Sequence, residues 1–206
     1  MRIPAWRWLA AAGLALLLVQ AVAWGRSALP GARLVGSRSH GIAIAGGLSF
    51  GQSLAPQGPD HRVSVVTAAL GRAYVHGDVA QTLRAALAEE REASAARDLP
   101  APRWQLGEAG WRTGGWFPPH LTHQDGLAID LVVPAEAGVD RTARVLDALC
   151  RQAPKHGLVA RAFFVPEADQ GAIRGRMRTT CRRAMLDVVM PFDGQIHVTF
   201  TPKGRR

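Results

Sequence analysis

The sequence predicts an α+β domain: a small, mainly antiparallel sheet flanked by helices. Two observations carry this. Short apolar alternations mark strands at 126–133, 158–165 and 196–201, and helical periodicities at 78–97, 140–152 and 169–189 stand apart from them. Apolar residues make up 48% of the 206 residues, too many for a disordered chain, and no internal repeat is visible.

The N-terminus comes first. Arg2 and Arg7 precede an apolar run from Leu9 to Trp24 that only Gln20 interrupts. A basic start followed by such a run is a secretory signal or a membrane anchor. Ala21-Val22-Ala23 offers a small-x-small cleavage site, whereas Trp6, Trp8 and Trp24 flank the run as interfacial aromatics flank a span. Either way the remainder is expected to be exported to the periplasm, cleaved free or tethered to the inner membrane. Residues 1–24 are therefore assigned to targeting. The Gly-, Ala-, Ser- and Arg-rich stretch 25–47 is assigned to a flexible tether, and 48–206 to the folded domain. That leaves roughly 170 to 180 residues beyond the signal, enough for one sizeable core.

Within the domain, 63–66 reads as a short strand. Asp78 is placed to cap a helix running to about Arg97, with Gln81 as its capping-box partner and Val79, Leu83 and Leu87 on one face. Pro100 and Pro102 close that segment, and Gly114-Gly115 and Pro118-Pro119 mark a loop. The strand at 126–133 puts Leu127, Ile129, Leu131 and Val133 on one face and Ala128, Asp130 and Val132 on the other. Asp140 starts the next helix. The last helix carries Ile173, Met177 and Cys181 at i, i+4 and i+8. The last strand sets Gln195, His197 and Thr199 opposite Ile196, Val198 and Phe200. Cys150 and Cys181 are expected to pair, because two cysteines in an exported chain usually do.

The formal net charge is +9. Such a field favours acidic partners, among them nucleic acid, anionic lipid and the carboxylates of cell-wall peptides. The absence of a nucleic-acid motif and the export signal speak against the first.

The chemistry concentrates in His120-Leu-Thr-His123-Gln124-Asp125-Gly126-Leu127-Ala128-Ile129-Asp130, answered by Gln195-Ile196-His197-Val198. His123, Asp130 and His197 supply two imidazole nitrogens and a carboxylate oxygen, a three-donor set for zinc. Three protein donors leave a fourth position open, as in a hydrolase. If the two strands pair, Asp130 and His197 share one sheet face and His123 reaches in from the loop.

These residues resemble the penicillin-insensitive murein endopeptidases, and more broadly the zinc peptidases grouped with lysostaphin, the D-Ala-D-Ala carboxypeptidases and the hedgehog domain. The match runs over His120-x-x-His123-Gln124-x-Gly126-Leu127-x-x-Asp130 and x-His197-Val198, where that family carries His-x-Ser-His-Gln-x-Gly-Leu-x-x-Asp. Arg72-Ala-Tyr74-Val-His76 is similar to its Arg-x-Tyr-x-His segment, and Arg161-Ala-Phe163-Phe164-Val165 to a strand of it. The resemblance implies that His123, Asp130 and His197 bind Zn2+ and that the activity is cleavage of peptide crosslinks in peptidoglycan.

One feature departs from the pattern. The family ends His-x-His, with the first histidine in catalysis, and here that position is Gln195; a further histidine position holds Phe192. Glutamine accepts no proton as a base. Asp193 ranks first as replacement, His120 second and Asp125 third. The plainer roles are a turn residue for Asp193, support of the site for His120 and a solvent-facing group for Asp125. Gln195 retains the ability to donate a hydrogen bond to a developing oxyanion. An envelope binding protein that keeps the metal site without turnover is the alternative function. His76, Trp116 and Phe117 are further candidates to line a substrate groove, and His40, His61 and His156 are expected at the surface or in loops.

Overall fold

The structure is a computed structural model that describes residues 14–15, 37–42, 45–49, 51–54, 57–101, 103–115, 122–177, 181 and 194–204. The predicted α+β class holds. Strands β1 (Arg38–Ile42) and β2 (Ala45–Ser49) form a hairpin, and β3 (Gln52–Ser53) pairs with β5 (Tyr74–Val75). The main sheet has five strands, β4 (His61–Val63), β6 (Trp104–Leu106), β7 (Ala128–Val132), β9 (Gln195–Pro202) and β8 (Leu158–Phe164), in the order β4-β6-β7-β9-β8. Its neighbours are antiparallel except for β4 and β6. The helices are α1 (Val65–Ala69), α2 (Gly77–Ala95), α3 (Gly138–Gln152) and α4 (Glu167–Arg176).

Period two decides which face of the sheet is core. Ile129 and Leu131 of β7, Ile196 and Val198 of β9, and Trp104 and Leu106 of β6 are all buried. They join one cluster with Val79, Leu83 and Leu87 of α2 and Leu146 and Leu149 of α3. Removing that apolar surface from water is the main stabilising term. The intervening residues, Asp130 among them, fall on the opposite face.

Several boundaries differ from the sequence reading. The β1–β2 hairpin occupies part of the stretch assigned to the tether. Gly41, Gly46 and Gly47 give it no side-chain alternation, and Leu48 seals it to the body, fully buried with its amide on the Thr113 carbonyl at 2.8 Å. The expected strand at 63–66 splits: Val63 ends β4, and Val65 and Val66 open α1. His76, not Asp78, caps α2, its Nδ1 accepting from the Asp78 amide at 3.2 Å. Ala137 rather than Asp140 precedes α3, which leaves Asp140 in the first turn. Helix α4 ends at Arg176 and Met177 is extended; Cys181 is helical again, and the other residues of the expected helix beyond Met177 lie outside the described residues. Gly171 and Gly175 weaken that helix. His61 is buried in β4 rather than at the surface, whereas His40 lies in β1 and His156 in a short 3-10 turn.

Cys150, at the end of α3, is disulfide-bonded to Cys181, as expected. Among the described residues no helix is long and apolar enough to cross a membrane, and the N-terminal apolar run lies outside them but for Leu14 and Ala15.

Ion pairs of Glu90 with Arg141 and Arg144 and of Glu89 with Arg151 fasten α2 to α3, and the Arg141 pair is the buried one. Arg141 grips Glu90 through Nε to Oε1 at 2.8 Å and Nη2 to Oε2 at 2.9 Å, and the Ser94 hydroxyl donates to Oε1 at 2.7 Å. Burial alone would raise the Glu90 carboxyl, but the bonds from Arg141 and Ser94 outweigh it and hold it below its ordinary range. Glu90→Gln leaves a buried guanidinium without its charge partner, at a cost of about 3 kcal/mol. Because the folded value is depressed, this stabilisation is complete above the ordinary glutamate value of about 4.3 and is lost as pH falls through the folded one. Denaturant titrations of wild type and Glu90→Gln should therefore differ most near neutral pH and converge in acid. An equal gap at pH 7 and below pH 3 would contradict this.

Candidate metal centre

The register of β7 and β9 builds the site. Asp130 lies directly opposite His197, so strand pairing alone brings two of the three candidate ligands together. His197 Nδ1 is 2.7 Å from Asp130 Oδ1. The third, His123, comes from the loop before β7, with its Nε2 3.5 Å from Asp130 Oδ2 and its ring 4.8 Å from that of His197, edge to face. All three side chains are buried, and their donor atoms lie within 4.8 Å of one another.

Backbone groups set the orientation. His123 Nδ1 is 2.8 Å from the Ala109 carbonyl. A carbonyl only accepts, so Nδ1 is the donor of that bond and Nε2 is the ring nitrogen that faces Asp130. This is how a ligating histidine is usually oriented from behind. The Ala109 amide in turn donates to the Arg72 carbonyl at 3.0 Å, and the Asp130 amide to the Glu108 carbonyl at 2.9 Å. The Arg72 guanidinium pairs with Glu108 and lies 5.5 Å over the Trp111 ring. On the other side, the Thr122 hydroxyl is 3.3 Å from His197 Nε2, and the Phe164 ring stands 5.4 Å from the His197 ring.

The chain reverses tightly between His123 and Asp130. Gly126 takes φ +73°, and a Cβ there would come within 3.0 Å of the His76 amide nitrogen. The Asp125 carboxylate accepts from the Leu127 amide at 3.0 Å. Asp125 is thus buried in a turn and does not face solvent; burial raises its carboxyl above the ordinary range. For Asp130 burial also opposes ionisation, but the bonds and charges of His123 and His197 outweigh it and hold the carboxyl far below that range.

The donor set fits a divalent metal of borderline softness. Two donors each about 2 Å from a tetrahedral ion stand about 3.3 Å apart; His123 Nε2 and Asp130 Oδ2 are 3.5 Å apart, whereas His197 Nδ1 and Asp130 Oδ1, at 2.7 Å, are hydrogen-bonded directly and would separate slightly around an ion. The group of His123, Asp130 and His197 is able to bind a metal ion.

The other candidates separate. Gln195 lies in β9 two residues from His197, on the same sheet face and half-buried. His120 and Asp193 lie outside the described residues, as do Trp116 and Phe117. His76 is a helix cap; burial lowers its imidazole, against the pull of Asp78. Thr122, Phe164 and the Ala109 carbonyl escaped the sequence reading as contributors. Thr122 had a signal, since it occupies the hydroxyl position of the His-x-Ser-His pattern.

Fold and site together define an α+β domain with a buried two-histidine, one-carboxylate centre on the outer face of its sheet. Compared with known proteins, the chain matches no family model and no curated protein.

Proposed function

We propose that this protein is a zinc-dependent hydrolase of the cell envelope that cleaves peptide crosslinks of peptidoglycan. The observation that carries the reading is the direct pairing of Asp130 with His197, with His123 Nε2 aimed at the same carboxylate. The basic, apolar N-terminus supports export, and the motif resemblance supports the substrate class.

His123, Asp130 and His197 would hold the ion. Zinc, when bound, supplies a hydroxide nucleophile near neutral pH and polarises the scissile carbonyl. The chain's own groups do the rest. The Ala109 carbonyl fixes the His123 tautomer, and Thr122 steadies the His197 ring from its far nitrogen. The Gln195 amide, on the same face, is suited to donate to an oxygen that gains charge. Proton transfer falls to Asp193 first, His120 second and Asp125 third.

The purified full chain, loaded with zinc, should release crosslinked muropeptides into their monomers. EDTA should stop the release and added zinc should restore it. A fully zinc-loaded protein that leaves the crosslinks intact would sink the reading. Gln195 favours a second reading, a wall-binding protein without turnover, because an amide takes no proton. If Gln195→His switches on hydrolysis in a silent wild type, that second reading stands. If Asp193→Asn silences an active wild type, the enzyme reading stands with Asp193 as base.

A further inference from the structure

The face that bears the metal residues continues beyond them. On β7, Val132 is two residues from Asp130 and so shares its face. The ladder pairs Val132 with Gln105, and Gln105 with Arg62. Exposure follows this alternation: Arg62 is exposed and Gln105 and Val132 half-buried, while their sequence neighbours His61, Val63, Trp104 and Leu106 are buried. A groove of about 620 Å³ lies over this row, lined by Gln57, Arg62, Arg103, Gln105 and Val132, with Glu136 at its wall. Among the described residues, neither Arg62 nor Arg103 has an ion-pair partner, so two guanidiniums face the groove against one carboxylate.

We propose that this groove is the substrate subsite for a carboxylate of the peptide held at the metal centre. It rests on the hydrolase reading above. Two strand spacings and a two-residue step put Arg62 about 12 Å from Asp130. An extended peptide covers that span in three to four residues. The bound carboxylate is thus three to four residues from the bond under attack. A guanidinium presents paired donors that match a carboxylate and stays charged at every working pH. Val132 offers apolar contact, and Gln105 offers an amide to the peptide backbone. Glu136 opposes the anion and tunes the affinity down.

The test is equilibrium binding of a fluorescent stem tetrapeptide to the full chain, by polarisation, with zinc and with EDTA. Wild type should bind the free acid roughly tenfold more tightly than the fully amidated peptide. The Arg62→Ala/Arg103→Ala double variant should lose that discrimination, and Glu136→Gln should tighten the acid form. Peptides amidated only at the terminus or only on the side chain identify which carboxyl sits on the arginines. Both arginines are exposed, so the variants should keep the wild-type melting temperature and zinc content. Equal affinity of wild type for acid and amide, or unchanged discrimination in the double variant, would overturn the subsite. Arginine-dependent binding without cleavage keeps the subsite and removes the hydrolase; cleavage indifferent to both arginines does the reverse.

Discussion

Asp130→Asn is expected to leave the protein folded and to abolish the zinc binding proposed for this centre. The carboxylate is the hinge of the centre: one oxygen is 2.7 Å from His197 Nδ1 and the other 3.5 Å from His123 Nε2. Asparagine keeps the shape but removes the charge, and its NH2 group turns donors toward nitrogens that must present lone pairs to an ion. Loss of a supporting residue around a metal typically costs 10–100-fold in affinity, so loss of a ligand should cost about 100-fold or more. If the hydrolase reading is right, release of muropeptides should fall by about a thousandfold or more, the equivalent of about 4 kcal/mol of transition-state stabilisation. Metal analysis after dialysis and calorimetric zinc titration measure the first effect, and a muropeptide digest the second. Stoichiometric, tightly held zinc in Asp130→Asn would show that the ion binds elsewhere.

The juxtaposition of Asp130 and His197 was legible because strand periodicity is simple. An apolar alternation on each side of Asp130 and of His197 fixes which face each takes, and the pairing of the two strands then does the rest. Other parts left no such trace. The Ala109 carbonyl that orients His123 is a backbone group, so no letter announces it. The hairpin at 38–49 carries Gly41, Gly46 and Gly47 within its two strands, and their lack of side chains interrupts the alternation that marks a strand. Asp78 was the better helix cap by preference. Yet β5 pairs with β3 through Val75, so the turn into the helix falls one residue later, at His76. Tertiary pairing overrode a local propensity there. Asp125 looked solvent-facing because it is a carboxylate in a polar loop; its bond to the Leu127 amide instead folds it into the turn.

Gly114→Ala should be the most damaging single-methyl change near the centre, and Gly71→Ala is its control. Both glycines occupy the left-handed region, φ +66° at Gly114 and +68° at Gly71, so both substitutions incur the same conformational cost of about 1–2 kcal/mol. Their surroundings differ. Nothing lies within 4 Å of a Cβ at Gly71. At Gly114 a Cβ would come 2.1 Å from the Gln124 carbonyl oxygen, 2.5 Å from the Leu48 amide nitrogen and 2.8 Å from the Gly47 carbonyl carbon. These are backbone atoms of two different pieces, the β1–β2 hairpin and the loop that carries His123, and no rotamer change relieves the contact. One of the two must move away. Displacement of the hairpin would break the bonds of Leu48 to Thr113 and of Ser39 to Asp125. The total should exceed about 3 kcal/mol, against about 1 kcal/mol at Gly71. Zinc affinity should fall with it, because Gln124 is the residue next to His123. Denaturant titration of both variants, with zinc titration of each, measures the two effects. Equal destabilisation at the two positions would mean that the hairpin yields freely and plays no part in holding the metal loop.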